Sequence, residues 1–461
     1  MSGPAARALV SDIVDRASLY RVLFRMAVPT VLSGLLRSSF AFVDMLTAGR
    51  LSTDAQAGLT TAVFFAWMFH SLSSMISTGA LAHVAQATGA GDRARAIHVA
   101  TLALRSALSI GALCSLVFFF VAPVVVQSSG LDEGARQASM YLRVLACFGV
   151  AYWAQDALEQ SLRGAGHATL PVKVAVVTAT MNAILNPIFA EHLGLGLAGL
   201  ALSTGIAWTT GACALAIVAH RRGLLSFRAP SSTEGAPRVG ALLRVGLPVA
   251  WNGVAFDLVW VVLAPIAART GAVTLAAIGV GHRLESIGYL TAQGLCHATA
   301  SLVGQCVGAG RGGLARRIAW AGLAIGLTSN ALWALCTLVF ASALAALFTR
   351  DPAVQAAVVD YVAISALPMV FQAIETVLLG AFEGMAKTAL PFAISLAAYA
   401  ARIPIAHALV SLGAVGIFAT TAITSTCAGI AMGVLFVLRG PRGSDGLARD
   451  HSDGASPARI T

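Results

Sequence analysis

Charged residues are scarce in this sequence. Only 11% of its 461 residues are Asp, Glu, Lys or Arg, whereas 57% are hydrophobic. Soluble domains carry about 25% charged residues, so this chain has too little polar surface to cover a water-soluble fold. Apolar runs of about 20 residues recur along it, and each is long enough to cross the hydrocarbon core of a membrane. Because backbone groups in that core must be hydrogen-bonded within their own segment, the composition favours a polytopic all-α membrane protein.

Several functional classes lack their sequence signatures here. There is no phosphate-binding loop of the pattern G-x-x-x-x-G-K-[ST], so we do not expect ATP to drive the activity. The HExxH motif of a membrane metalloprotease and the clustered motifs of lipid-phosphate enzymes are also missing. The seven cysteines stand singly in apolar segments without metal-ligand spacing, and we expect them to be small buried hydrophobic residues. We therefore predict that the protein is not an enzyme and has no cofactor.

Breaks that contain charged residues, Gly or Pro divide the chain into twelve predicted transmembrane helices. They lie near residues 22–46, 55–82, 96–125, 136–162, 169–190, 194–219, 243–266, 273–304, 314–345, 355–381, 388–411 and 414–438. The charges in residues 1–21 argue against a cleaved signal peptide, so this segment is predicted to remain as a cytoplasmic N-terminal segment. Residues 220–240 form a basic cytoplasmic linker, and the polar residues 439–461 are predicted to be a disordered cytoplasmic tail.

Lys and Arg are distributed asymmetrically about these spans. With a cytoplasmic N-terminus, 21 of the 30 basic residues fall on the cytoplasmic side and 4 on the other side. This asymmetry follows the positive-inside rule. Because the number of spans is even, both termini are predicted to be cytoplasmic in a multi-pass protein of the plasma (inner) membrane. The net charge of +10 then reflects topology and contact with anionic lipid, and we predict no binding to nucleic acid.

The two halves of the sequence resemble each other at an offset of 219 residues. Arg25 to Pro29 aligns with Arg244 to Pro248, and Val84 to Gly91 aligns with Val303 to Gly310. Each half holds six spans, so both insert in the same orientation. Parallel repeats with a binding site between them are an architecture of secondary transporters, in which access alternates as one half rocks against the other. The predicted halves are an N-lobe and a C-lobe, over residues 22–219 and 241–438.

Further motifs surround the repeated ones. They lie at Phe42 to Ser52, Leu162 to Gly166, Met181 to Phe189, Leu195 to Thr204 and His282 to Gly310. Together they resemble the MATE (multidrug and toxic compound extrusion) family, from about residue 20 to residue 438. The resemblance implies two pseudo-symmetric six-helix lobes around a central cavity. It also implies a secondary antiporter that exports amphipathic or cationic organic compounds, such as drugs, toxins or metabolites, in exchange for H⁺ or Na⁺.

Two alternatives to a drug antiporter are a flippase of the same superfamily and a receptor. The alternative function is a flippase for lipid-linked intermediates, but that activity would favour a strongly basic cavity, and only five bases are assigned to the membrane interior, against six candidate acids. A receptor would not need two matched halves. We expect the protein to be a monomer whose partners are small organic substrates and the lipid bilayer.

Acidic residues inside the predicted spans are the candidates for ion coupling. An ionised carboxylate there costs about 2.5–3.5 kcal/mol, so each one calls for a function or a partner. Asp44 matches the acidic position of the family's first-helix motif, and the resemblance makes it the leading candidate. Arg37, two helical turns earlier on the same face, offers the alternative of a structural ion pair with Asp44. The six candidate acids are Asp44, Asp156, Glu159, Asp257, Glu285 and Glu375.

The resemblance also places polar residues of the fifth and sixth helices beside Asp44. In this chain they are Asn182, Asn186 and Thr204. Oxygen ligands suit a hard cation, so these four residues form a possible Na⁺ site. However, the family branches with a well-formed site of this type carry an aspartate where this chain has Asn186. Hydrogen bonding between helices is the alternative role for the two asparagines.

The second half contributes three further candidates for binding the ion or the substrate. Asp257 and Glu375 resemble acids implicated in such binding in other branches of the family. Glu285 follows His282 at helical i,i+3 spacing, so the two are placed to share a proton or a hydrogen bond. For Asp156 and Glu159, which share one face of the fourth span, we favour a structural role.

Overall fold

The computed structural model describes residues 9–13, 16–127, 132–226 and 237–442, and all regular structure within these ranges is helical. A 3₁₀ turn lies at Leu9–Asp12, a π-helical turn at Ile188–His192 and another 3₁₀ turn at Val410–Leu412. The predicted all-α fold is confirmed. The α-helices are α1 (Arg16–Leu51), α2 (Thr53–Gly89), α3 (Arg93–Gln127), α4 (Asp132–Cys147), α5 (Gly149–Gly164), α6 (Thr169–Pro187), α7 (Gly196–Arg221), α8 (Val239–Ala268), α9 (Ala272–Gly308), α10 (Gly312–Val339), α11 (Ala341–Phe348), α12 (Pro352–Gly384), α13 (Ala389–Leu409) and α14 (Ala414–Arg439).

Ten of the described helices are long and apolar enough to cross a membrane. The other two predicted spans correspond to the α4–α5 pair and to α9. The fourth predicted span is divided at Phe148 into two helices of 16 residues each. Helix α9 is 37 residues long, but polar residues such as Arg283, Glu285 and Gln305 interrupt its apolar sequence. Taken with the ten helices, these two elements give a bundle of twelve membrane-length segments.

The helix ends follow from local sequence. Ser52 caps α2, because its hydroxyl accepts a hydrogen bond from the backbone N–H of Ala55 at 3.0 Å. Asp351 caps α12 in the same way and is followed by Pro352, a residue favoured at the first position of a helix. Gly271 has a φ of 113° just before α9, a conformation that glycine adopts without strain. Short polar or glycine-containing turns therefore separate long apolar helices.

The first and second halves of the chain meet through small residues. Gly89 of α2 lies against the backbone carbonyl of Gln305, and Gly308 of α9 lies against the backbone carbonyl of Gln86. A Cβ atom at either glycine would overlap the carbonyl oxygen, so only glycine permits this approach of the helices. The contact is pseudo-symmetric, because Gln86 and Gln305, like Gly89 and Gly308, stand 219 residues apart.

The two glutamine side chains complete this contact. Gln86 Nε2 donates a hydrogen bond to the carbonyl oxygen of Gly384 at 2.9 Å, and Gln305 Nε2 donates one to the carbonyl oxygen of Gly164 at 3.1 Å. Both acceptors are the last residues of their helices, α12 and α5. We call the four residues Gln86, Gln305, Gly164 and Gly384 the glutamine clasp.

The N-terminal 3₁₀ turn lies against the clasp. The Leu9 backbone N–H donates to Gln305 Oε1 at 3.1 Å, and Arg311 donates to the carbonyl oxygen of Val10 at 2.8 Å. On α2 the contacts between the halves run from Ser71, which faces Gly253 and Asp257, to Gly89. We call the end of the bundle that holds the clasp the closed end.

Two sequence predictions concern regions only partly described. Helix α7 continues to Arg221 and α8 begins at Val239, so the predicted linker 220–240 includes the ends of both helices; residues 227–236 lie outside the described residues. The predicted disordered tail lies outside them from residue 443 onward.

The expectation that all seven cysteines are buried is wrong for five of them, of which Cys114 and Cys336 are partly buried. Cys147, Cys213 and Cys427 are exposed on the protein surface, whereas Cys296 and Cys306 are buried. In a membrane protein an apolar side chain gains nothing by leaving the lipid-facing surface, so hydrophobic character does not predict burial.

Candidate ion-coupling site

Asp44 is buried in the first half of the bundle, with 3% of its surface exposed. It lies on α1, seven residues before the helix ends. Its carboxylate accepts a hydrogen bond from Asn186 Nδ2 of α6 at 2.6 Å and another from the Tyr141 hydroxyl of α4 at 3.3 Å. Both donors are neutral, and within the described residues Asp44 forms no ion pair. In the part of the chain that the structure describes, its negative charge is balanced only by the dipoles of neutral donors.

A second layer of polar groups stands behind Asn186. Ser203 of α7 donates to Asn186 Oδ1, and Asn182 Nδ2 donates to the Thr204 hydroxyl at 3.0 Å. Both asparagines are fully buried. The structure therefore brings together the four residues that the sequence analysis grouped, with Ser203 as the link between them.

This cluster fits a hard cation by the chemistry of its oxygens. It offers one carboxylate, two amide oxygens and the hydroxyls of Ser203 and Thr204, and Na⁺ prefers oxygen ligands of this kind. The Asn182 Oδ1 atom is buried and has no hydrogen-bond partner among the described residues. A buried acceptor without a donor carries a cost that a bound cation would relieve. The possible Na⁺ ligands Asp44, Asn182, Asn186 and Thr204 are thus compatible in type and position.

Asn186 owes its position to the irregular end of α6. Pro187, the next residue, has no backbone N–H to donate, and the chain continues as a π-helical turn over Ile188–His192. Such wide turns are rare and are frequently found at functional sites. The irregular backbone ends α6 directly after the asparagine that bonds to Asp44.

The alternative ion pair between Arg37 and Asp44 is wrong. Arg37 Nη1 lies 3.5 Å from Asp156 Oδ1 and 3.3 Å from Glu159 Oε2, and its Nη2 donates to the Tyr152 hydroxyl at 2.7 Å. Two helical turns separate Arg37 from Asp44 by about 10.5 Å along α1. Helix α5 brings the other two carboxylates within direct reach.

Asp156 and Glu159 belong to a charge-balanced network. Arg163 pairs with Glu159 one turn away on α5, and both side chains are buried. Arg163 also donates to the Ser33 hydroxyl at 3.0 Å, while Ser73 donates to Asp156 Oδ2 at 2.7 Å. With Arg37, two arginines face two carboxylates, an arrangement that supports the structural role we favoured for these acids.

The three candidates of the second half have different hydrogen-bond partners. Glu285 accepts a hydrogen bond from the Tyr361 hydroxyl at 2.9 Å, and Glu375 accepts one from Ser395. Asp257 lies 3.5 Å from the Ser71 hydroxyl of the first half. His282 Nε2 is 4.0 Å from Glu285 Oε2, which is too long for the predicted hydrogen bond.

Three buried polar residues were missed by the sequence analysis. Tyr141 and Ser203 contact the residues around Asp44, and nothing in their local sequence distinguishes them from packing residues. Glu383 is buried with 2% of its surface exposed, but the predicted span ended at residue 381, before α12 does. The repeat held a signal for Glu383, because it aligns with Arg163, so both halves carry a charge at that position.

Comparison with known proteins identifies the family. The MatE family model matches this chain twice, at residues 29–188 and at residues 248–407. The chain belongs to the MATE family. The two matched segments begin 219 residues apart, the same offset as the repeated motifs. As a MATE protein it is a multi-pass membrane transporter and not an enzyme.

Similar MATE proteins cover nearly the whole chain. The "Probable multidrug resistance protein NorM" of Thermotoga maritima is 26% identical over 404 residues, which is 86% of each protein. The protein of the same name from Xanthomonas axonopodis pv. citri is 28% identical over 404 residues, which is 83% of this chain and 85% of the relative.

Solved structures share the fold. An outward-facing conformation of a multidrug resistance MATE family transporter has a TM-score of 0.87 at 19% identity and covers 95% of this chain and 98% of its own. The Vibrio cholerae MATE transporter VcmN has a TM-score of 0.86 at 21% identity, with 92% and 97% covered. This likeness extends to the fold of the whole described bundle.

Proposed function

We propose that this MATE protein is a secondary antiporter that exports amphipathic or cationic organic compounds in exchange for H⁺ or Na⁺. It acts as a monomer in the plasma (inner) membrane, with both termini in the cytoplasm. The names of its NorM relatives support the substrate class, and the distribution of Lys and Arg supports the orientation.

One observation carries the proposal for the coupling site. Asp44 is a buried carboxylate whose described partners are neutral hydrogen-bond donors. Binding of H⁺ or Na⁺ removes or balances its charge, and a buried charge without a counter-ion is costly. The ion therefore binds more tightly to whichever conformation desolvates Asp44 further, and this difference in affinity is what shifts a conformational equilibrium.

Helix α1 links the coupling site to the other half of the transporter. It carries Asp44 near one end, while Val31 of the same helix packs against Gly294 of α9. A rearrangement of the hydrogen bonds to Asp44 thus acts on a helix that also touches the second half. In the proposed orientation the closed end faces the cytoplasm, so substrate entry requires the glutamine clasp to open.

Proteoliposomes with an imposed pH gradient or an imposed Na⁺ gradient test this proposal. We expect one of the two gradients to drive transport of a fluorescent organic cation, and that gradient identifies the coupling ion. Asp44→Asn keeps the shape of the side chain and removes its charge, so gradient-driven transport should fall at least about tenfold, which is about 1.4 kcal/mol of coupling.

The matched control is Asp360→Asn, at an exposed position on α12. This variant should transport as the wild type does, and the melting temperature of Asp44→Asn in detergent should stay close to that of the wild type. Transport that remains fully gradient-driven in a folded Asp44→Asn protein would remove Asp44 from the mechanism.

A further inference from the structure

A separate cluster of metal-ligand side chains lies in the second half of the bundle. Cys296 and His297 are consecutive residues of α9, and Glu383 stands at the end of α12. One ligand atom from each residue lies within 4.8 Å of the others, and Cys296 Sγ is 3.8 Å from Glu383 Oε2. Cys296 and Glu383 are buried, while His297 is partly buried. The cluster shares no residue with the polar groups around Asp44.

Glu383 has no basic partner in the described part of the chain. Its hydrogen-bond donor there is the Cys296 thiol, which is a weak donor. The repeat shows how the first half differs: Arg163 aligns with Glu383 and pairs with Glu159, whereas Leu379 aligns with Glu159. The second half thus holds a buried acid where the first half holds a balanced pair. Such a charge calls for a cation.

His297 provides a second unsatisfied group beside this acid. Its Nδ1 atom is buried and has no hydrogen-bond partner among the described residues. An imidazole nitrogen without a donor or an acceptor is costly in a protein interior, and imidazole nitrogens are the atoms with which histidine binds metals. An acid without a described basic partner, an imidazole with one unpaired nitrogen and a thiol therefore lie close together.

We propose that Cys296, His297 and Glu383 bind a divalent transition-metal ion of the zinc type. Sulfur, nitrogen and oxygen ligands together suit Zn²⁺, whereas Ca²⁺ and Mg²⁺ prefer oxygen alone. On binding, the Cys296 thiol loses its proton to the solvent and the thiolate ligates the ion. The thiolate and the Glu383 carboxylate then balance the 2+ charge, so the loaded site is neutral.

The geometry requires only a small adjustment. Around a tetrahedral zinc ion with bonds of about 2.0–2.3 Å, ligand atoms stand about 3.3–3.6 Å apart. The three ligand atoms here lie within 4.8 Å of one another, so side-chain rotations that move each atom by about 1 Å bring them to these distances. With three ligands from the protein, a water molecule completes the four ligands of the ion.

Metal binding would also join two helices of the second half that both contribute a residue to the glutamine clasp. Glu383 directly precedes Gly384, whose carbonyl accepts the clasp hydrogen bond from Gln86, and Cys296 lies on α9, the helix that carries Gln305. An ion between Cys296 and Glu383 ties α9 to α12 close to the clasp.

Binding of Zn²⁺ to the purified full-length protein in nanodiscs, after removal of metal with a chelator, tests the proposal. We expect about one Zn²⁺ per chain and a rise in melting temperature on binding. Co²⁺ should give a thiolate charge-transfer absorption, which identifies sulfur as a ligand. Cys296→Ser and Glu383→Gln should each weaken Zn²⁺ binding at least about tenfold.

The matched control is Cys306→Ser, a buried cysteine on the same helix that is not part of the cluster. It should bind Zn²⁺ as the wild type does. Should Glu383→Gln fail to fold, the near-isosteric Cys296→Ser still decides the question. The proposal is overturned if the metal-free wild type takes up no Zn²⁺, or if Cys296→Ser retains both the affinity and the Co²⁺ absorption.

Discussion

Asn186 is the residue closest to Asp44 in the candidate coupling site, and its amide carries no charge. At present Asn186 Nδ2 donates a hydrogen bond to Asp44 Oδ1 at 2.6 Å. Asn186→Asp would replace this donor with a second carboxylate. Two carboxylates this close do not both stay ionised unless a cation lies between them. We therefore expect Asn186→Asp to lower the half-saturating Na⁺ concentration for exchange by about tenfold, or about 1.4 kcal/mol.

Asn186→Ala is the control for this prediction, because it removes the same hydrogen bond without adding a charge. Exchange should be measured in proteoliposomes at several Na⁺ concentrations and constant pH. An equal change in Na⁺ dependence in Asn186→Ala and Asn186→Asp would contradict the prediction, since the lost hydrogen bond would then explain both.

Arg163 is the residue on which the buried network of the first half depends. In Arg163→Met, the only described basic partner of Glu159 is Arg37, which also forms an ion pair with Asp156. An incompletely balanced buried charge is strongly destabilising, so the free energy of unfolding should fall by about 3 kcal/mol. Denaturant titration in detergent micelles measures this change.

The double variant Arg163→Met with Glu159→Leu should recover part of that loss, because no unpaired charge remains. Arg317→Met, at an exposed arginine of α10, should leave stability unchanged. A double variant that is as unstable as Arg163→Met alone would show that charge balance is not what the network provides.

Residue types were predictable from the sequence, but partners were not. An acid in an apolar span stands out by composition, and so Asp44 was found. The partner of Arg37 depends on how α5 packs beside α1, and no local pattern on α1 contains that information. Tyr141 was missed for a similar reason: a tyrosine in an amphipathic helix has no sequence feature that marks it as a donor to Asp44.

At the scale of helices, the contact of α2 with α9 rests on two glycines. Gly89→Ala would push a methyl group into the carbonyl oxygen of Gln305 and force the helices apart. We expect a lower melting temperature and a free energy of unfolding reduced by about 1–3 kcal/mol, as for other overpacked contacts. Gly34→Ala on α1, where a Cβ meets nothing within 4 Å, is the matched control.

The result for Gly34→Ala should be neutral or slightly stabilising, because alanine favours a helix by about 1 kcal/mol over glycine. Equal melting temperatures for Gly89→Ala and the wild type would mean that the two helices have room to separate without cost. Differential scanning fluorimetry of both variants in the same detergent makes the comparison.

Helix type and the number of membrane-length segments were predicted well, whereas helix ends and breaks were not: the predicted spans 136–162 and 314–345 are each divided into two helices. The long helices extend past the predicted spans because their polar ends continue the helix beyond the apolar run, as α2 does from residue 82 to Gly89. No proline marks the break at Phe148, so the sequence predicts one span over residues 136–162. There the Phe148 ring packs against Gly205 of α7, and this tertiary contact is absent from the local sequence.

At the scale of the whole molecule, the glutamine clasp joins the two halves by matching hydrogen bonds. Gln86→Ala combined with Gln305→Ala removes both bonds, each worth about 0.5–1.5 kcal/mol. We expect the halves to separate at the closed end in a larger fraction of molecules. Spin labels at the exposed positions Ala94 and Lys387, one in each half, report this separation as a longer distance population.

Gln355→Ala is a suitable control, because that glutamine bonds to Thr349 within one half of the chain. The exposed cysteines are replaced by serine so that only the two chosen sites carry labels. An unchanged distance distribution in the double clasp variant would show that the glutamine bonds do not hold the closed end together.

The pseudo-symmetry of the molecule was predictable from the repeat, but the contact between the equivalent residues of the two halves was not. The sequence aligned Gln86 with Gln305 and Gly89 with Gly308 at one offset. It could not predict that these aligned residues meet each other across the molecule, because equivalent positions of two repeats meet only near the pseudo-symmetry axis.

The acceptors of the clasp have a consequence for how often it can open. Gly164 and Gly384 end their helices, and the last four carbonyls of a helix have no donor within it. These oxygens accept from the opposite half when the two halves meet, and water at the rim of the bilayer can replace the glutamines when they part. Neither carbonyl is left without a hydrogen-bond donor in either arrangement. The contact between the two halves can therefore open and re-form repeatedly at little cost in free energy.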